Sequence, residues 1–463
     1  MKEVFRGRTT ELRVLDKKFR QDGFVMTVLY GRRRIGKTML INKFIHDHDC
    51  KYISFTAVER GENELLSMMT ETVLSALAPD LLGDINFSSF EKLFEYIGRQ
   101  AQKERIIFFI DEYPYLAKQC PYIQSVLQKV IDTKWKSSNL FFILCGSLVS
   151  FMEEEVLAQS APLHGRSSLE LKLRPFNYLE TADFLDGYTN EEKAICYGLS
   201  NGVAKYIEQF DPSLSLEENI LDQFYSVGGY FTEEQIKTIV TGERQNPAMY
   251  NSIISAVATG HTKNGEIASY VGVDDITYPL KVLTKAEILE RRMAKKPYYV
   301  VNDSMLEFWF RYVNRATSLI NSGNGQVYYY SNVKDHLHDF MGKVFEKMAK
   351  EYLMLHAGQD ELPVLTEVTD YQNTIVDENK KLKQIEIDIL GRNEKKILLV
   401  GECKFKNAPF DKVEYEKLMD KISYLPVTNP IVCIFSLGGF TDYVKAQRDN
   451  CRLLSIDDMY EIA

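Results

Sequence analysis

The sequence predicts an α/β fold: a parallel sheet with a helical lid, then a three-helix unit with a hairpin, then a second, smaller α/β domain. Three observations predict it. Residues 1 to about 190 alternate apolar runs with segments of helical periodicity, the pattern of parallel strands joined by crossover helices. The run at 24–30 opens into Gly31-Arg32-Arg33-Arg34-Ile35-Gly36-Lys37-Thr38, and residues 39–45 then have helical spacing. Further on, apolar runs return after about residue 384, separated from the first set by a stretch that is mainly helical.

In the first segment the strands are expected at 24–30, 51–55, 105–110, 140–145 and 168–173. The octapeptide after the first fits G-x-x-x-x-G-K-[ST], a loop whose backbone N–H groups cradle phosphates. Gly31 and Gly36 supply the turns, and Lys37 reaches toward the β- and γ-phosphates. The nucleotide-binding set is therefore Gly31, Arg32, Arg33, Arg34, Ile35, Gly36, Lys37, Thr38 and Met39. The strand at 105–110 ends in Asp111-Glu112. Thr38 and Asp111 are placed to hold Mg²⁺, and Glu112 to polarise the attacking water. The strand at 140–145 ends in Gly146-Ser147, where Ser147 can sense the γ-phosphate or merely cap a helix. Arg166 could reach its own or a neighbour's phosphates as an arginine finger, or be an ordinary surface arginine. The expected ligands are ATP and Mg²⁺, and the catalytic set is Glu112, Lys37, Ser147 and Arg166.

Domain boundaries are expected at 1–190 for the sheet, 191–245 for the lid, 246–330 for the next unit and 331–463 for the last. Segments 190–197 and 216–225 look helical. Residues 250–257, 264–271 and about 276–285 give a helix, a short helix and a third helix, and 288–292 with 298–301 can form a hairpin. That order is a winged helix-turn-helix layout. On it Thr277, Tyr278, Lys281 and Lys285 would face a groove, and Arg291, Arg292, Lys295 and Lys296 would make a basic wing. Contact with DNA and contact with protein are equally open readings of this unit.

The last segment should carry a helix near 334–356 and strands near 384–390, 396–403 and 430–436. Asp388 lies on the first strand, and Glu402 and Lys404 lie two apart on the second, hence on one face. Two carboxylates and a lysine at a strand end can hold a cation and activate water against a phosphodiester. Glu346 on the preceding helix is a further acid of this candidate nuclease site.

Composition narrows the classes. A net charge of −9 gives no global basic signal for nucleic acid, although one basic patch is compatible with it. Seven scattered cysteines without a CxxC pair indicate neither a zinc ribbon nor a disulfide framework. No apolar run approaches the roughly 20 residues of a membrane helix, and the first residues do not read as a signal peptide. The expectation is a cytoplasmic protein with no membrane partner, for which a homo-oligomer is an open state.

Phe5-x-Gly7-Arg8-x-x-Glu11-Leu12, the loop Gly31 to Thr38, Phe109-Ile110-Asp111-Glu112, Cys145-Gly146-Ser147 and Pro162-Leu163-x-Gly165-Arg166 together resemble the archaeal-type P-loop ATPases of the AAA+/STAND group. Leu173-x-Pro175-Phe176 and Ser200-Asn201-Gly202-Val203-Ala204-Lys205-Tyr206 extend the likeness, with Ala204 where proline is usual. The resemblance implies a P-loop NTPase sheet with a helical lid, a winged helix and a C-terminal domain of the restriction-endonuclease-like, PD-(D/E)xK kind. It also implies that Gly7 and Arg8 lie beside the adenine and ribose. Function is then expected to be ATP hydrolysis coupled to a DNA-binding or nuclease-like module. The alternative is a STAND-type switch with slow hydrolysis and a C-terminal domain that binds a partner without cutting.

Overall fold

The computed structural model describes residues 5–232, 247–293, 297–359, 361–376 and 382–461. Contacts divide the chain into two compact units: Met1–Pro175 with Val203–Lys205, and Phe176–Gly202 with Tyr206–Ala463.

The first unit is a five-stranded parallel sheet of β1 (Val25–Tyr30), β2 (Lys51–Thr56), β3 (Ile106–Asp111), β4 (Leu140–Gly146) and β5 (Leu169–Lys172). Each lies within a residue of its expected position. The spatial order is β2-β3-β4-β1-β5. Central strands β1, β3 and β4 bury every residue, which is why they read as unbroken apolar runs. β2 and β5 sit at the edges and keep exposed residues. Beside the sheet, the buried indole of Trp135 donates to the Phe94 carbonyl at 2.9 Å. A Cβ on Gly98 would lie 2.7 Å from that ring, so the helix there passes at glycine distance.

The second unit begins with short helices. Those expected at 190–197 and 216–225 are present as Asn190–Ser200 and Leu216–Ile220, the latter continued by a π-turn at Leu221–Tyr225. They group with the C-terminal half rather than with the nucleotide sheet. The tie is polar and buried. Glu351, on helix Leu337–Leu355, accepts from the Tyr197 hydroxyl at 2.6 Å and from the Tyr178 N–H at 3.1 Å. Burial raises the pKa of that carboxyl above its ordinary value.

Helices Pro247–Ala258, Asn264–Val271 and Thr277–Lys285 follow, then an antiparallel hairpin of β6 (Leu289–Met293) and β7 (Pro297–Val301). The elements stand in the expected order, although Lys295 and Lys296 lie outside the described residues. The C-terminal sheet contains β8 (Glu367–Val376), β9 (Leu382–Asn393), β10 (Lys396–Lys404), β11 (Ile431–Ser436) and β12 (Cys451–Ser455), in order β12-β11-β10-β9-β8. β8, β9 and β10 are antiparallel neighbours, while β10, β11 and β12 run parallel. β8 and β12 are the two edge strands, and neither was expected. The first is a polar sequence and the second spans five residues, so neither stands out by hydrophobic pattern.

Tyr197→Phe leaves a Glu351 oxygen without its hydroxyl donor in a buried site. It is expected to destabilise the second unit by about 1–3 kcal/mol, read as a lower urea midpoint of the full chain.

Candidate functional site: a phosphate loop with two carboxylates

Strand order builds the first site. β4 lies between β1 and β3, so the loop leaving β1 and the carboxylates ending β3 flank the tip of β4. Gly31 is at φ 152°, and a Cβ there would lie 2.4 Å from the Leu173 carbonyl oxygen, so only glycine fits. Lys37 is buried, and its ammonium donates to the carbonyls of Gly31 at 2.9 Å and Arg32 at 2.7 Å. Burial lowers its pKa from the ordinary lysine value. Thr38 Oγ1 donates to Asp111 Oδ2 at 2.6 Å, and the Glu112 N–H donates to Asp111 Oδ1 at 2.9 Å.

Glu112 occupies the left-handed region at φ 49°, ψ 43°. A non-glycine residue there costs of order 1 kcal/mol or more, and such strain concentrates at working sites. It lets the Glu112 carboxylate accept from the Ser147 hydroxyl at 2.7 Å. Thus Lys37, Thr38, Asp111, Glu112 and Ser147 converge, and Arg33 joins them, donating to Ser147 Oγ at 3.4 Å.

Gly7 and Arg8 have left-handed backbones, and the Arg8 guanidinium is buried. It donates to the carbonyls of Ile35 at 3.0 Å and Arg174 at 2.7 Å, clamping the phosphate loop from behind. On the other side the Lys205 N–H donates to the Arg34 carbonyl at 3.2 Å.

Arg166 does not reach this site in its own chain. Its guanidinium pairs with Asp132 and donates to the Pro162 carbonyl at 2.8 Å. With Phe24 and Lys136 it lines a small cavity at the start of β1, and the Ser168 N–H holds the segment there by donating to the Met26 carbonyl at 2.7 Å. Six strand residues at about 3.3 Å each put the phosphate loop about 20 Å away. An arginine finger acting on its own phosphates is therefore excluded by position.

In the second unit, Glu346 and Asp388 line a cavity of about 840 Å³ together with Arg292, Tyr298, Lys347, Lys350 and Asp370. The β8–β9 register slips by one residue between Ile387 and Leu390, opposite Asp370. Such a slip re-aims side chains, and Asp388 sits in it. Asp388 Oδ2 accepts from the Cys403 N–H at 2.9 Å. Burial, then the charge of Glu402, pushes the Asp388 carboxyl up to about 6; burial, then Asp388, pushes Glu346 up to about 7.

Glu402 and Lys404 share a face as expected, their charged groups 2.8 Å apart. Glu402 is also held by Lys421 at 2.9 Å, a partner from helix Lys412–Ser423 that no local spacing announced. Among the described residues no group of three or more His, Cys, Asp or Glu is close enough to hold a metal.

Lys281 and Lys285 lie on the exposed face of helix Thr277–Lys285, with Thr277 and Tyr278. Arg291 is exposed as well. Arg292 faces the other way: it pairs with Glu290 at 3.0 Å and Asp370 at 3.4 Å, so strand alternation turns it into the cavity rather than toward a phosphate backbone.

Residues 5–210 match the ATPase domain found predominantly in Archaea. An uncharacterized protein of Methanocaldococcus jannaschii is 30% identical over 414 residues, covering 87% of this chain and 88% of its own. The chain belongs to this archaeal ATPase family. An uncharacterized ATP-binding protein of the same organism is 43% identical over 51 residues, 11% of this chain and 86% of that one. The Walker-type ATPase of Pyrococcus abyssi has a similar fold, with TM-score 0.50 and 19% identity over 67% of this chain and 97% of that one. Residues 309–418 match archaeal and bacterial proteins of unknown function.

The raised carboxyls set a pH dependence. A carboxyl whose folded value lies above its ordinary one stabilises the fold fully below the ordinary value, and the contribution is lost as pH rises through the folded value. For Glu346 that window runs from 4.5 to about 7, and for Asp388 from 3.8 to about 6. Glu346→Gln should therefore match the wild-type protein in thermal stability near pH 4.5 and exceed it at pH 8. Equal melting temperatures at both pH values would contradict this.

Proposed function

We propose that this protein binds ATP with Mg²⁺, hydrolyses it, and couples nucleotide state to a nucleic-acid-handling C-terminal module. The observation that carries the hydrolytic part is the 2.6 Å contact of the Thr38 hydroxyl with Asp111, with the Lys37 ammonium and the Glu112 carboxylate in the same cluster. A hydroxyl and a carboxylate oxygen suit a hard cation that keeps most of its waters. Mg²⁺ would supply charge neutralisation between phosphate oxygens there. Lys37 exchanges its two loop carbonyls for phosphate oxygens, whose negative charge offsets the cost of burying its ammonium. Glu112 takes the proton of the attacking water as the γ-phosphoryl group leaves ADP.

Chain path supports coupling. Val203–Lys205 belongs to the nucleotide unit, whereas its covalent neighbours on both sides belong to the other. A shift of the loop at Arg34 is thereby passed to Lys205 and along the chain.

For the C-terminal module, support for phosphodiester chemistry comes from Glu346 and Asp388 on one cavity beside the Glu402–Lys404 pair. The switch reading is favoured by a different observation, the double clamp of Lys404 and Lys421 on Glu402, which leaves that carboxylate neutralised.

Two experiments test these readings. Glu112→Gln should keep ATP affinity within about threefold and lower kcat by at least about 100-fold, whereas Lys37→Ala should abolish binding of a fluorescent ATP analogue. Single-stranded and duplex DNA should be cut with Mg²⁺ or Mn²⁺ by wild type and not by Lys404→Ala; ATP turnover without cutting assigns the switch.

A further inference from the structure

The phosphate loop carries three consecutive arginines, and one of them has a partner that phosphate binding does not explain. Arg33 Nε–H donates to Ser147 Oγ at 3.4 Å, and its Nη2 donates to the Tyr115 hydroxyl at 2.6 Å. Ser147 Oγ in turn donates to Glu112 Oε2 at 2.7 Å. Tyr115 lies on the helix Tyr113–Gln119 that Glu112 itself caps. The loop is thus joined through one hydroxyl to the carboxylate placed to take the water's proton, and the guanidinium is braced from the far side.

We propose that Arg33 is a positioning residue for Glu112, relaying the presence of the γ-phosphate through Ser147. This rests on the ATPase reading. In the arrangement seen here Ser147 donates its single proton to Glu112 Oε2, which takes one of that carboxylate's acceptor sites and holds the group toward β4. The Arg33–Ser147 contact is long, and an oxygen of the anionic γ-phosphate is the stronger acceptor for a guanidinium. With ATP in the loop, Arg33 turns to the γ-phosphate, Ser147 follows to the same oxygens, and Glu112 is released to the water. Hydrolysis then forms one water-oxygen–phosphorus bond, breaks the bond to the β,γ-bridging oxygen, and leaves the water's proton on Glu112. Arg166, at the far end of β1, takes no part in this relay in its own chain, and the role of Arg33 is exerted through Ser147. Lysine cannot replace Arg33, because one ammonium lacks the planar fork that spans Ser147 and Tyr115.

The test is steady-state ATP hydrolysis by the full chain, with equilibrium binding of a fluorescent ATP analogue on the same preparations. Arg33→Ala should lower kcat by about 100-fold or more with analogue affinity changed less than about threefold. Arg33→Lys should recover little of the loss. Ser147→Ala should also lower kcat, and the double variant should be no slower than the slower single, because the two act in one chain. A raised KM with kcat unchanged in Arg33→Ala would make Arg33 a phosphate ligand only and overturn the proposal. So would multiplicative losses in the double variant. If Arg33→Ala fails to fold, Arg33→Lys decides, and wild-type kcat in that variant overturns the relay. Wild type without turnover under any divalent cation overturns the ATPase reading itself, whereas normal turnover indifferent to Arg33 overturns only the relay.

Discussion

The nucleotide site depends on one constraint, the insertion of β4 between the strand that carries the phosphate loop and the strand that carries the carboxylates. Strands in a sheet stand about 4.8 Å apart, so β1 and β3 are separated by about 10 Å. That gap is wide enough for phosphate oxygens and a hydrated cation, and narrow enough for Thr38 and Asp111 to meet across it at 2.6 Å. The tip of β4 then falls at the middle of the gap, which is why Ser147 touches Glu112. A sheet with β1 beside β3 would leave no such position.

The rest of the first unit holds that geometry still. Arg8 grips the loop through the Ile35 carbonyl, and glycine at 31 admits the Leu173 carbonyl at a distance no side chain would tolerate. Central strands buried on every residue make the sheet a rigid base for the loop, as close packing in protein interiors requires. Glu112 departs from this ease, held in a left-handed conformation that aims its carboxylate at Ser147.

In the second unit the polar interior takes over that organising role. Glu351 joins the segment after residue 175 to the long helix of the C-terminal domain through Tyr197 and Tyr178. Arg292 and Lys350 both reach Asp370 from different elements, at 3.4 and 3.5 Å, so hairpin, helix and edge strand meet at one carboxylate. Glu346 and Asp388 line the same cavity as these residues, and burial, then the charge of Asp388, raises the proton affinity of Glu346, whereas burial, then Glu402, raises that of Asp388.

Sequence alone determined the phosphate loop, the acidic strand end, the five strands of the first sheet and three of the C-terminal strands. Each is a local pattern: a glycine-spaced octapeptide, or an apolar run whose length and flanks mark a buried strand. Packing of the helices after residue 175, the polar edge strand β8, the register slip at Asp388 and the second clamp of Lys421 on Glu402 were beyond it. So were the inward turn of Arg292, the remoteness of Arg166 from its own phosphate loop and the contact of Arg33 with Ser147. All of these join residues distant in sequence, and the side-chain periods of 2.0 and 3.6 say which face a residue takes but never what stands opposite it. Only the tertiary structure decided what each charge meets, because a charge is positioned by its partners across the fold rather than by its neighbours along the chain.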